Sequence, residues 1–289
     1  MSGLFRDRPV PAENSSNPTE AGRAPQPIAV IDATRVNIGK QVDLVHRVTF
    51  DALTGRGGTV FTLNLDHLVK LEQDPVFRAA YDQATYVSAD GAPVVAMARR
   101  QGADLVRVTG ADLVRPLCAA AALARIPVHF FGTTPETLAT TEAVLRCEYP
   151  RLIVAGLESP PFGFSPFGIE ARAAAERISA SGGRICFVAL GAPKQEIFAE
   201  FARRWAPGVT FVCIGAALDF IGGGQSRAPQ TLQIAGLEWL WRLVHNPRRL
   251  TKRYAQSALY LLRYNVRDLA GRLSRRRSLP NPDTTTRQE

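Results

Sequence analysis

The stretch Ile185-Cys-Phe-Val-Ala-Leu190, followed at once by Gly191-Ala-Pro-Lys-Gln-Glu196, decides the fold class. Six apolar residues of β type break at Gly191 and Pro193. Three polar residues, Lys194, Gln195 and Glu196, then open a helical pattern. Polar groups placed where a strand's carboxyl end meets a helix amino end occupy the usual ligand position of open α/β sheets. Three further segments follow in order: Phe211-Val-Cys-Ile-Gly-Ala-Ala-Leu-Asp-Phe220, Arg227-Ala-Pro229 and Gly236-Leu-Glu-Trp-Leu-Trp-Arg-Leu243.

Working outward from the hexapeptide, the alternation is regular. Strands are predicted at 127–131, 152–155, 184–190 and 209–214. Helices follow them from Gly132-Thr-Thr-Pro-Glu136 to about 147, at 169–180 and at 194–205, with a loop at 160–166. Upstream lie short strands at 28–31, 59–63 and 84–87, and helices at 43–53, 66–82 (broken near Pro75), 92–101 and 111–124. Strands alternating with helices of about 10–15 residues predict a Rossmann-like α/β fold: a mostly parallel sheet with helices on both faces. The last part differs, with helices at 229–245 and 248–271 and no strand between them. The expected organisation is a disordered Pro-, Ser- and Asn-rich leader (1–27), an α/β domain (28–245), a basic amphipathic helical appendage (246–274) and a disordered tail (275–289). In the final helix Leu250, Tyr254, Ala258, Leu261, Asn265 and Leu269 fall near one face.

The net charge of +9 belongs to that appendage. From Arg242 to Arg277 there are eleven Lys/Arg against one acid, Asp268, a net of +10, so the rest of the chain sums to −1. Nucleic acid is a poor match, because the core adds no basic face or aromatic platform. A solvated tail is a second reading, and anionic phospholipid the favoured third, at about 1 kcal/mol per Lys/Arg near the surface. The leader has no apolar core of signal-peptide length, and no run approaches the ~20 apolar residues that span a bilayer. A cytoplasmic protein, attached peripherally to the inner face of the membrane, is expected. Cys118, Cys147, Cys186 and Cys213 form no Cys-x-x-Cys, so inert buried thiols in a reducing compartment are expected.

Polar groups at probable strand ends, Thr62 and Asn64, Asp90, and Gln195, should converge on one crevice. Asp90, beside flexible Gly91, has two readings: a general base, or an Asx turn or helix cap. Arg107 is suited to a phosphate or carboxylate, or to a surface pair with Asp104 or Asp112. Lys194 at a helix start either meets a diphosphate or is solvated. Asp219 in its apolar run is either a buried structural carboxylate or a ligand for a hydroxyl of a sugar or base. The dinucleotide Gly-x-Gly-x-x-Gly, the Walker A loop, the Gly-x-Ser-x-Gly elbow and Asp-x-Asp are all absent, and the four histidines show no metal spacing.

Taken in order, these segments resemble the WecG/TagA/CpsF glycosyltransferases, glycosyltransferase family 26. The matching residues are Thr62-Leu-Asn64, Ala89-Asp-Gly91, Arg107-Val-Thr-Gly-Ala-Asp-Leu113, Phe131-Gly132, Tyr149-Pro150, Gly191 to Glu196, Ile214 to Phe220, Arg227-Ala-Pro229 and Gly236 to Leu243. The resemblance implies an inverting, metal-independent enzyme without cofactor. It would move a sugar from a UDP-sugar to a polyprenyl-diphosphate-linked saccharide, in cell-surface or exopolysaccharide synthesis. By position, Asp90 matches the base, and Thr62, Asn64, Arg107 and Gln195 match polar site residues. Gly191, Lys194 and Asp219 complete the donor side, and Arg242, Arg249, Lys252 and Arg253 are candidates to close over the diphosphates. Leu63, Leu65, Ala92-Pro93 and Ala216 depart from the usual pattern around the sugar pocket, which leaves the transferred sugar open. Homo-oligomerisation is also left open. The alternative from another class is a non-catalytic, membrane-associated module that binds sugar nucleotides or polyanions.

Overall fold

The computed structural model describes residues 25–224 and 247–277. A small antiparallel hairpin of β1 (Ala29–Ile31) and β2 (Thr34–Val36) precedes α1 (Gln41–Thr54). Then come β3 (Gly58–Leu63), α2 (Leu65–Gln73), α3 (Pro75–Asp82), β4 (Tyr86–Ala89), α4 (Ala92–Arg99) and α5 (Gly110–Ala124). The second half runs β5 (Val128–Gly132), α6 (Pro135–Glu148), β6 (Val154–Glu158), α7 (Ile169–Ala180), β7 (Ile185–Ala189), α8 (Lys194–Ala202), β8 (Thr210–Cys213) and α9 (Ala217–Ile221). The long α10 (Pro247–Arg277) follows. The expected helix at 229–245 and residues 1–24 of the expected leader lie outside the described residues.

Six strands form one parallel sheet in the order β4-β3-β8-β7-β5-β6, with helices on both faces. The pleat explains the two-sided core. On β3, β5, β7 and β8, Phe61, Phe131, Cys186, Val188 and Phe211 point to one face, and Val60, Phe130, Ile185, Phe187 and Val212 to the other. A strand buried on both faces reads as a continuous apolar run, which is how β7 stood out in the sequence. One face is covered by α2, α3, α4, α7 and α8, and the other by α1, α5, α6 and α9. Stacked rings tie the layers: Phe131 of β5 on Phe198 of α8 at 4.6 Å and, on the opposite face, Phe130 of β5 on Phe187 of the neighbouring β7 at 5.1 Å.

Local chemistry sets the boundaries. Asp74 ends α2 and caps α3, its Oδ1 accepting from the N–H groups of Val76 and Phe77, with Pro75 in the first turn. The strand expected at 152–155 lies further on, at Val154–Glu158. It includes Gly156, which sits beneath the His129 ring: a Cβ there would come within 2.5 Å of Cε1. Cys118, Cys186 and Cys213 are buried as expected, but Cys147, in the last turn of α6, is exposed.

The C-terminal helix packs outside the first helical layer, against α2, with Ser257 and Tyr260 buried. The Tyr260 hydroxyl donates to the Asp32 carboxylate, which also takes Arg267 at 3.1 Å. Arg100 reaches across from the end of α4 to Asn265 at 2.6 Å. The apolar stripe read from the sequence is thus divided. Leu261 and Asn265 are half-buried while Leu269 is exposed. A second stripe, Leu259, Leu262, Val266 and Leu269, faces outward with 48–61% exposure.

Candidate active site

The sheet order creates a crevice at its carboxyl edge. After β3 the chain turns to one face, into α2. After the neighbouring β8 it turns to the opposite face, into α9. Adjacent strands whose connections diverge leave a gap between them, the topological switch point of open α/β sheets. The first turn of α5 closes one wall so tightly that a Cβ on Gly110 would lie 2.8 Å from the Ile214 Cα.

Asn64, Asp90 and Arg107 are brought to this edge by consecutive backbone bonds. The Asp90 N–H donates to the Leu63 carbonyl at 2.8 Å, and the Val108 N–H to the Ala89 carbonyl at 2.9 Å. The residues after β3, after β4 and before α5 therefore lie side by side. Asp90 and Arg107 are half-buried. The N-cap of α4 is Gly91, at φ 90°, so Asp90 stands one residue ahead of the cap position. Asn64 does cap, its Oδ1 accepting from the His67 N–H at 3.0 Å. Thr62 is buried within β3, paired across from Ser88.

The Gly191–Glu196 segment forms the opposite lip. Gly191 takes φ 72°, a conformation that costs glycine little, and the Ala192–Pro193 peptide is cis. Lys194 is exposed and hooks its ammonium onto the Phe164 carbonyl at 3.3 Å. Gln195 is buried and uses both ends of its amide: Oε1 accepts from the Gly215 N–H at 2.9 Å, and Nε2 donates to Glu196 at 2.7 Å. It therefore ties the loop after β7 to the turn after β8, on one side of the crevice. Asp219 accepts from the Thr133 hydroxyl at 2.7 Å, and the Ser159 hydroxyl donates to the Thr133 carbonyl at 2.6 Å. Thr133 follows Gly132, whose φ of 117° and approach to Ala189 leave no room for a Cβ. Arg253 pairs with Asp66 at 2.7 Å. Arg242 and the side chains of Arg249 and Lys252 lie outside the described residues.

Beneath this edge lies a buried set that the sequence did not disclose: Glu196, His67 and Tyr81. His67 Nδ1 meets the Tyr81 hydroxyl at 2.7 Å, and Nε2 lies 4.0 Å from Glu196. Burial raises the Glu196 carboxyl to about 7 against the opposing bond from Gln195, and lowers His67 to about 3. His67 is thus neutral at ordinary pH, and its contact with Glu196 is not an ion pair. Oε2 of Glu196 has no hydrogen-bond partner among the described residues.

A pH dependence follows. Glu196 titrates near 4.5 when unfolded and about 7 when folded, so its contribution to stability is full below 4.5 and is lost as pH rises towards 7. His67, ordinarily 6.5, works in reverse: its contribution is full above 6.5 and is lost as pH falls towards 3. The Glu196→Gln variant should therefore gain stability relative to the parent as pH rises from 4.5 to 7, by at most about 1.4 kcal/mol per pH unit. Urea unfolding at pH 5, 6 and 7 measures this. A constant difference across the three would exclude Glu196 as the buried titrating carboxyl.

A polar edge built from strand ends, divided by a switch point and lined by a carboxylate, an arginine and a Gly-x-Pro-Lys-Gln turn, is in the usual ligand position of an open α/β sheet. The family model for the glycosyl transferase WecG/TagA/CpsF family matches residues 30–275. This chain is a member of that glycosyltransferase family.

Proposed function

We propose that the protein is an inverting, metal-independent glycosyltransferase. It moves a hexose or N-acetylhexosamine-type sugar from a UDP-sugar to a polyprenyl-diphosphate-linked saccharide at the cytoplasmic membrane face, in cell-surface or exopolysaccharide synthesis. The observation that carries this reading is the backbone ladder that sets Asn64, Asp90 and Arg107 side by side beside the β3–β8 crevice. Family membership supports the reaction class. The absence of Asp-x-Asp from the sequence supports metal independence.

In the proposed step the Asp90 carboxylate takes the proton of the acceptor hydroxyl as that oxygen attacks the anomeric carbon. The bond from that carbon to the UDP oxygen breaks, and UDP leaves with the electron pair. The amino end of α8 and Lys194 offset its charge. Gln195 keeps the Gly215 turn in place, and Asp219 with Thr133 offers hydroxyl-binding groups on the donor side. The outward stripe of α10, flanked in sequence by arginines, supports attachment to an anionic surface. No helix among the described residues is long and apolar enough to cross a membrane.

The test is turnover. Purified protein is incubated with a panel of UDP-sugars, a polyprenyl-diphosphate-sugar acceptor and EDTA, and released UDP and glycolipid are measured. Product from one donor is expected. UDP binding without product from any donor, over a wide acceptor panel, would favour a binding module instead.

A further inference from the structure

One carboxylate links the C-terminal helix to the crevice. Asp66 lies in the first turn of α2, two residues beyond Asn64, where the amino end of a helix favours a negative charge. Its Oδ1 takes Arg253 of α10 at 2.7 Å, and its Oδ2 bonds the ammonium of Lys70 one turn on. Lys70 in turn donates to the Ala192 carbonyl at 3.3 Å, within the loop between β7 and α8. The Asp66 side chain is only 12% exposed, so its two cations are screened less than those of a surface pair. Other anchors of α10 reach Asp32 in the β1–β2 turn, Arg100 at the end of α4 and Glu72 late in α2, the last at 3.9 Å.

We propose that Asp66 is a positioning residue. It seats α10 through Arg253 and, through Lys70, holds the Gly191–Lys194 loop, so that the loop takes its donor-binding geometry only when the helix is docked. The functional half of this statement rests on reading the crevice as the active site. The coupling itself does not.

Hydrogen exchange on the full chain without substrate tests the coupling, following peptides over 188–196 and 252–260. Arg253→Met should speed exchange in both segments, by about three- to fivefold for the loop, the range of a modest ion pair. Lys70→Met should loosen the loop and leave the helix slow. In an Asp66→Asn background, Arg253→Met should add nothing to loop exchange, and Asp66→Glu should restore the slow exchange of the parent. Loop exchange unchanged by Arg253→Met, or effects that simply add across the pair, would overturn the proposal. In turnover, Asp66→Asn should raise the KM for the UDP-sugar several-fold more than it lowers kcat. A fall in kcat alone would overturn the donor-loop role. A parent enzyme with no activity, yet with coupled exchange, would instead overturn the sugar-transfer reading.

Discussion

Asp90→Asn is expected to lower kcat by about 10²–10⁴-fold, the usual contribution of a positioned general base, while UDP-sugar binding survives. The substitution keeps the side-chain shape and removes the ability to take a proton. It also keeps the backbone bond that fixes this position to β3, from the residue 90 N–H to the Leu63 carbonyl. A purely conformational role at the turn before Gly91 predicts the opposite, since asparagine serves such turns as well as aspartate. Steady-state turnover, with UDP binding measured by calorimetry, separates the two. Turnover near the parent level would remove Asp90 from the role of base.

Removing residues 246–289 should abolish most activity on a lipid-linked acceptor and most binding to anionic vesicles. The truncation deletes α10, the partner of Asp66, Asp32 and Arg100, and so uncovers part of α2. Because that change is large, a surface variant isolates the membrane contribution. Leu262→Glu with Val266→Glu alters only the outward stripe of α10. Each apolar side chain withdrawn from an apolar phase costs about 1.5–3 kcal/mol. Vesicle flotation should therefore show at least a tenfold loss of binding, with turnover on a short-chain, water-soluble acceptor retained. Full activity of the truncated enzyme on lipid acceptor would sink the idea that the appendage completes the site.

Much of the fold was legible because strands buried on both faces announce themselves. The runs ending at Leu63, Phe131, Leu190 and Ile214 all mark sheet strands to within a residue or two, and the break at Asp74-Pro75 follows from capping chemistry. What stayed hidden has physical reasons. The β1–β2 hairpin turns through Asp32 and Ala33, both at positive φ, without the asparagine or glycine that normally signals such a turn. The edge strand β6 reads as β at 152–155, but beyond that run it carries Gly156, needed for the His129 ring, so its far end at Glu158 stayed hidden. Glu196 belongs to the motif that drew attention first, yet a glutamate in a helix's first turn is ordinarily solvated, and only the packing of α8 on His67 reveals its burial. A helical projection finds apolar stripes on α10 but cannot say which one meets the body. Asp66 resembles any acidic residue at a helix start until Arg253 arrives from 187 positions downstream.

The strand order also bears on how the polypeptide is made. β3 pairs with β4 and β8, and β5 with β6 and β7, so the two halves of the sheet join only through the β7–β8 pair. During translation the first half stays open along β3 until β8 has been added, 124 residues after the end of β4. At about 5–20 residues per second that interval is roughly 6–25 seconds. For that time an apolar strand edge carrying Val60 and Phe61 is exposed on the nascent chain, a substrate for ribosome-associated chaperones. The crevice, whose two sides come from the oldest and youngest strands of the sheet, forms only when the sheet itself is completed.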